Sequence, residues 1–490
     1  MTLRRAPALL VWAACAGALV GRAPRQIDWD LGWQRLLGER VLDGGGLPAH
    51  IGAETFTAPG AAWTPQEWLF STAYALAHRA NADSLFGFAI GAFAALALAV
   101  AARTVAVRGG GAVAQCSAMA AATLAMFGGL AVRAQTVAWL PFALVMHALA
   151  KRKPWWAVPA TVAWCNVHAS GVLAPALVGV WAAGRTLDVR RLDREICGAW
   201  LATLACAFAT LATPLGVRLP QYAWMLSTSP IRADIGEWLS ALAYPMVQFW
   251  FVAVPLVAAL IAGCAFRRVP WSDRFLAAVL FGMAVMAVRN IPQLTLAVAP
   301  MCTALLARRN ARSPFAAARE LRSGLDALAK RIPAPVATFA IRGGVPAGAA
   351  VAALAIAAFA AALHAAAGGA FGPVGVPAYP SGALARLDDA PGSHRVLCAD
   401  FGWCSGVLAD RRVRVFLDGR CDPYPPSVWR DYETVVGVRP GWRSVLARRG
   451  VDAIVVERGK KLARALRADP RWRVTYDDGT FELVRARRAG

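Results

Sequence analysis

Charge is what this sequence has least of. Charged residues fill 17% of its 490 positions, against about a quarter in an ordinary soluble domain. Acidic residues are the scarcer kind, 29 against 52 lysines and arginines. No dinucleotide fingerprint and no P-loop occurs, so nucleotide chemistry is not written here as a motif. The ten cysteines show no metal-ligand spacing. Cys15, Cys116, Cys165, Cys197, Cys206, Cys264 and Cys302 lie in or beside apolar runs and read as small buried side chains. No internal repeat is visible, which speaks against a transporter built from inverted halves.

Apolar runs are what the chain does have, at 58% hydrophobic residues. Segments 6–23, 84–107, 111–131, 134–150, 155–167, 169–184, 195–213, 247–266, 273–288, 291–307 and 344–366 approach the roughly 17–25 residues that cross a bilayer. They predict an α-helical polytopic membrane protein with about eleven transmembrane helices. "MTLRRAPALLVWAACAGALVG" has the basic start and apolar core of a signal peptide. No small-x-small cleavage site follows, so it reads as an uncleaved first helix.

If the spans alternate, the basic groups sort to one side. Arg4 and Arg5, Arg103 and Arg108, Lys151 to Lys153, Arg185 to Arg194, Arg267 and Arg268, and the cluster from Arg308 to Arg342 all fall on the face that the positive-inside rule makes cytoplasmic. The net charge of +23 therefore belongs to membrane topology, and no nucleic-acid partner is expected. The expected setting is a bacterial inner membrane, with the N-terminus cytoplasmic and the C-terminal part outside. The scheme depends on splitting 155–184 at "AWCNVHASG", where polar residues interrupt the apolar run.

Five polar clusters then share the outer face. They are the loop 24–68 with Asp28, Asp30 and Glu67; "RAQT" from Arg133; "NVH" from Asn166 to His168; the loop after "TPLG" that ends in "DIGEW", Asp234 to Trp238; and "RNIPQ", Arg289 to Gln293. Ionisable groups at a membrane are costly and mark function by default. Each also has a bland reading: Asp28 and Asp30 as loop solvation, His168 as a packing residue, the arginines as interface anchors. Together they suit sugar transfer from a polyprenyl phosphate. A carboxylate, Asp28, Asp30 or Glu67, would take the acceptor's proton, and negative charge beside an oxocarbenium-like transition state would stabilise it. Arg133, Gln135, Asn166, His168 and Arg289 would hold the phosphate as its charge develops. A divalent cation, magnesium or manganese, held by carboxylates is a candidate helper.

The quoted stretches resemble the membrane-embedded GT-C glycosyltransferases, which include protein O-mannosyltransferases and oligosaccharyltransferases. More closely, they resemble uncharacterised bacterial proteins of that architecture. "DWDLGWQRL" (Asp28–Leu36), "VLDGGGLP" (Val41–Pro48) and "WTPQEWL" (Trp63–Leu69) are similar to that group's first loop. "RAQ", "WCNVH", "TPLG", "EW" and "VFLDGRCDPY" (Val415–Tyr424) are similar to its later elements. The resemblance implies a GT-C-like fold and a polyprenyl-phosphate-linked sugar as partner; it names no acceptor. Gln34 and Gln66 stand where that group has histidines, and Thr213 where it has asparagine. If those histidines bind metal or move protons, this chain is altered or inactive. Non-catalytic assembly and transport of a lipid-linked substrate remain the alternatives.

The domain division is a transmembrane part, 1–367, a Pro/Gly-rich linker, 368–382, and a small extracytoplasmic α/β domain, 383–490. In the last, "HRVLCAD", "RVFLDG" and "DAIVVE" predict strands, 426–437, 441–449 and 459–468 predict helices, and Trp472–Val484 predicts a hairpin over an Asp-Gly turn. Cys398 and Cys404 are placed to pair in an oxidising exterior, leaving Cys421 odd. Glu237, Asp418, Arg420 and Tyr424 are candidates for recognising the acceptor; the last three could equally form a structural turn.

Overall fold

Ten of the eleven expected spans are helical in the computed structural model, which describes residues 6–26, 28–229, 232, 235–243, 248–265, 269–312, 379–389, 394–408 and 412–487. The eleventh, 344–366, lies outside the described residues, as does most of the linker. The helices of the first part are α1 (Ala6–Arg22), α2 (Leu31–Leu42), α3 (Trp68–Arg79), α4 (Asp83–Val107), α5 (Ala112–Phe127), α6 (Ala134–Ala150), α7 (Ala157–Val167), α8 (Leu173–Val189), α9 (Arg194–Ala209), α10 (Arg218–Thr228), α11 (Val254–Ala265), α12 (Trp271–Met286) and α13 (Ile291–Arg312). α4 and the stretch Ala169–Val189 are each long and apolar enough to cross a membrane. α4 has 25 residues, which at about 1.5 Å per residue outspans a hydrocarbon core of about 30 Å.

Apolar residues lie on both sides of these helices. Leu98, Met126, Trp139 and Phe142 pack inside, while Leu10, Leu85, Leu204, Phe208 and Phe251 stay exposed. An exposed apolar surface of that extent fits lipid rather than water. α1 and α4 approach closely because α4 carries Gly91, where a β-carbon would collide with the Val20 backbone. Small residues bring membrane helices together in this way. The expected break near residue 168 is present: α7 ends at Val167, His168 is extended, and a short 3-10 turn leads into α8.

Three helices were not expected. α2 and α10 are amphipathic and lie in segments read as loops, and α3 fills the stretch between the loop 24–68 and the next expected span. In α2, Leu31, Trp33, Gln34, Leu37 and Gly38 are buried, a spacing of three and four that marks one helical face.

The C-terminal part is a five-stranded sheet with short helices, as predicted. Strands β1 (His394–Cys398), β2 (Val413–Val415), β3 (Ala453–Glu457), β4 (Trp472–Asp477) and β5 (Phe481–Ala486) lie in the order β2-β1-β3-β5-β4. β1 runs parallel to both β2 and β3, and β4–β5 form the expected antiparallel hairpin. Gly479 supplies the positive φ of its turn, while Asp478 accepts from the N–H groups of Thr480 and Phe481. Cys398 and Cys404 are disulfide-bonded, and Cys421 is free and buried.

The loop 24–68 does not stand apart from this domain. Val415 N–H donates to Glu54 O at 2.8 Å, and Phe56 N–H donates to Val415 O at 3.2 Å, so residue 55 adds a parallel bridge to the edge of β2. Trp33, Leu37, Ile51 and Trp63 of the loop share one core with Leu397, Trp403, Val415 and Ile454 of the domain. Each such buried side chain contributes about 1.5–3 kcal/mol. Trp29 also stacks on Tyr379, with ring centroids 4.6 Å apart. Loop and domain are one folded body over the helices.

Candidate active site

All five polar clusters meet around a single cavity of about 570 Å³. Asp28, Asp30 and Glu67 face it from the first loop. Arg133 and Gln135 enter from the start of α6, and His168 from the break before α8. Glu237 comes from the loop after α10, and Arg289 from just before α13. Arg133, His168 and Arg289 each precede a helix, so three helix N-termini add positive potential to the same cavity.

The central feature is a carboxylate between two guanidinium groups. Glu237 contacts Arg133 Nη1 through Oε2 and Arg289 Nη1 through Oε1, both at 2.7 Å. Asp28 Oδ2 lies 3.5 Å from the same Arg133 nitrogen. Gln135 holds Arg289 twice, accepting from Nη2 at 2.8 Å and donating to its carbonyl at 3.3 Å. Trp238 lies under the Arg289 guanidinium at 4.4 Å. Burial would raise the Glu237 carboxyl, but the two arginines outweigh it and hold Glu237 below the usual range. Glu237, expected on the acceptor side, thus sits among the residues expected to hold phosphate. A smaller cavity of about 260 Å³ shares Arg133, Gln135, Glu237 and Arg289 with the first.

Glu67 lines the same cavity, and here the two unexpected glutamines find their place. Gln34 Nε2 donates to Glu67 Oε2 at 2.5 Å, and Gln66 Nε2 donates to Oε1 at 2.9 Å. Gln66 Oε1 in turn accepts from the Ala169 N–H at 2.7 Å. Burial still pushes the Glu67 carboxyl up. Asp30 is pushed well above its ordinary value, first by burial and then by Asp28 and Glu67.

His168 is 3.6 Å from Glu67. Burial and the Arg289 guanidinium pull its imidazole down to about 3. It is therefore neutral at neutral pH and brings an N–H rather than a positive charge to the phosphate it was expected to hold. Its Nδ1 accepts from the Ser170 N–H at 3.0 Å, which leaves Nε2 as the protonated nitrogen facing Glu67.

The remaining candidates divide. Asn166 does not line the cavity; its Nδ2 donates to the carbonyls of Val162 and Ala212, each at 2.8 Å. Asp418 and Tyr424 are buried away from it as structural partners of Arg420. Arg420 donates to Asp418 through Nε and Nη2 and to Glu54 Oε1 at 2.8 Å; Tyr424 O–H donates to Asp418 Oδ2 at 2.7 Å. The structural-turn reading thus describes their contacts, although Arg420 itself reaches the cavity wall beside Trp63. Asp234 lies outside the described residues. Tyr222, Gln293 and Asp422 also line the cavity. Tyr222 was hidden on the unrecognised amphipathic α10, and Asp422 stood inside the quoted "VFLDGRCDPY" without being singled out.

Among the described residues, no group of three or more His, Cys, Asp or Glu side chains is arranged to hold a metal ion. Asp28 and Glu67 are instead engaged with Arg133 and the two glutamines. The expected divalent cation finds no ready ligand set there.

A helical membrane part, one end of which is covered by a loop and a small α/β domain, defines a GT-C-like fold. Among solved structures, the chain is similar to ArnT from Cupriavidus metallidurans bound to undecaprenyl phosphate (TM-score 0.52, 15% identity, 98% of this chain and 97% of that one). It is similar to the same protein in its apo state (TM-score 0.54, 15% identity, the same coverage). It is also similar to the archaeal oligosaccharyltransferase AglB from Archaeoglobus fulgidus in complex with an inhibitory peptide and a dolichol-phosphate (TM-score 0.55, 10% identity, 92% of this chain and 69% of that one). At these identities the likeness is one of fold. No family model and no curated protein matches the chain.

Proposed function

We propose that this protein is a membrane glycosyltransferase that moves a sugar from a polyprenyl-phosphate donor to an acceptor on the outer face of a bacterial inner membrane. The observation that carries the reading is the polarity of the cavity. Two guanidinium groups, Arg133 and Arg289, meet the carboxylates Asp28, Asp30 and Glu67 in one cavity, with Asp28 3.5 Å from Arg133. Support also comes from the fold, which is that of ArnT, a protein whose structure holds undecaprenyl phosphate. The disulfide Cys398–Cys404 fits an oxidising exterior. In this reading the chain crosses the membrane about eleven times, with its N-terminus in the cytoplasm.

The chemistry follows from the charges. The acceptor's oxygen or nitrogen forms a bond to the anomeric carbon. The bond from that carbon to the phosphate oxygen breaks, and its electron pair stays on the phosphate. Arg133 and Arg289 stabilise the charge that develops there. The acceptor's proton passes to a carboxylate of the Asp28–Asp30 pair. Asp30 suits this role because a raised carboxyl matches a proton acceptor working near neutral pH.

The test uses the full chain in lipid nanodiscs with the prenyl-phosphate-sugar fraction and the envelope fraction of the source cells. Mass spectrometry should show prenyl phosphate released by the wild type and lost in Asp28→Asn and Asp30→Asn. Full release by both variants would reject the carboxylate pair as the base.

A further inference from the structure

Asp422 has no part in the reaction just described, yet it faces the same cavity from the C-terminal domain. Its mounting is rigid. Asp418 and Arg420 are buried and paired below it, and the Asp422 N–H donates to the Arg420 carbonyl at 2.6 Å. Between them Cys421 takes φ 59°, a left-handed conformation that a side-chain-bearing residue keeps only where its surroundings impose it. The same turn presses against the first loop, because Gly419 lies directly over the Asp30 carboxyl.

Four neighbouring carboxylates are already engaged: Asp28 with Arg133, Glu67 with two glutamines, Glu237 with two arginines, and Asp400 with the Gly402 N–H, whereas Asp422 is met only by its own backbone N–H. Among the described residues no side chain hydrogen-bonds the Asp422 carboxyl. Two further acceptor atoms in the cavity lining lack donors. Gln34 is 1% exposed; its amide nitrogen is committed to Glu67, and Oε1 is left without a partner. Gln293 is 9% exposed, and its Oε1 is also unpartnered. An unsatisfied buried acceptor costs about 1–3 kcal/mol, which a ligand bearing donors recovers.

We propose that Asp422, with Gln34 and Gln293, forms the acceptor side of the cavity, and that the acceptor presents hydroxyl or amine donors there rather than a phosphate. This rests on the glycosyl-transfer reading. Gln34 Oε1 and Gln293 Oε1 can accept but not donate, so the acceptor-only oxygens of an ionised phosphate gain nothing from them, an exclusion that adds to specificity. Burial pushes the Asp422 carboxyl up to about 8, which relieves repulsion from Glu67 until a donor-rich group arrives. The C-terminal domain is then part of the reaction centre and not only a cover for it.

The experiment compares prenyl phosphate release by the full chain in nanodiscs with water alone, with ethanolamine or glycerol, and with glycerol 3-phosphate. The donor is the prenyl-phosphate-sugar fraction of the source cells. Wild type should be stimulated by ethanolamine or glycerol and not by glycerol 3-phosphate. Asp422→Asn should lose that stimulation at least tenfold while keeping hydrolysis by water and binding of undecaprenyl phosphate. Asp422→Glu should recover part of it. Stimulation of Asp422→Asn within twofold of wild type would overturn the proposal, as would stronger stimulation by glycerol 3-phosphate. Parallel loss of undecaprenyl phosphate binding in Asp422→Asn and Asp422→Glu would make the residue structural and also overturn it. Absence of any release by wild type removes the glycosyl-transfer reading itself, whereas loss of the acceptor effect alone removes only the role of Asp422.

Discussion

Asp30 Oδ1 occupies the space that a β-carbon on residue 419 would need. The relationship ties a carboxyl at the start of α2 to a turn almost four hundred residues later. Gly419→Ala therefore forces either the turn or Asp30 to move. Overpacking of this kind costs about 1–3 kcal/mol. Thermal unfolding of the full chain should fall accordingly, and prenyl phosphate release should drop at least tenfold because Asp30 is displaced. Unchanged melting and turnover would mean that the turn yields freely and does not fix Asp30.

Glu237 stands between Arg133 and Arg289, where the donor's phosphate would lie in the proposed reaction. Removing its charge leaves two buried guanidinium groups short of a counter-ion, a state that favours an incoming anion. Glu237→Gln should bind undecaprenyl phosphate about tenfold more tightly, about 1.4 kcal/mol. Arg133→Gln and Arg289→Gln should each weaken it by at least that factor. Native mass spectrometry in nanodiscs reads both. Weaker binding by Glu237→Gln would place the phosphate elsewhere.

Protonation of His168 should set an acid limit on stability. An unfolded histidine takes a proton near pH 6.5, but the folded site resists until about pH 3. The unfolded chain therefore binds more protons between these values, and stability is lost as pH falls through that window. The contribution is about 2 kcal/mol by pH 5. Comparing melting of wild type and His168→Gln from pH 7 to pH 5 isolates this effect from the carboxyls, which titrate in both. Equal slopes would show that His168 is protonated in the fold.

The parts legible in the sequence were those with a long or local signal. α4 announces itself by 25 apolar-rich residues, and the β4–β5 hairpin by alternation around Asp478 and Gly479. Asp28, Asp30, Arg133 and Arg289 were visible because a charge at the end of an apolar run is costly. α2 and α10 were missed because their apolar faces are narrow and their charged faces resemble loops. The bridge from residue 55 to Val415 has no local pattern at all, since strand pairing here depends on a partner 360 positions away. Gln34 and Gln66 looked like losses against a histidine pattern. Only their shared contact with Glu67 reveals them as a clamp, and that contact exists in three dimensions alone.

Arg420 offers the sharpest test of the joined loop and domain. Its guanidinium binds Asp418 and Glu54, one from the domain and one from the loop, and lies over the Trp63 ring at 5.0 Å. Asp418 is fully buried, so Arg420→Ala would strand a carboxylate in an apolar core, a change that costs about 3–5 kcal/mol. Lysine cannot restore the forked geometry, so Arg420→Lys should recover only a minority of the loss. Replacing both charges, Arg420→Met with Asp418→Asn, should recover more than lysine does, because no unpaired charge remains. Melting of the full chain gives the order: wild type, then the double variant, then Arg420→Lys, then Arg420→Ala. If Arg420→Ala melts like wild type, the ion pair does not hold the turn, and the placement of Asp422 over the cavity loses its support.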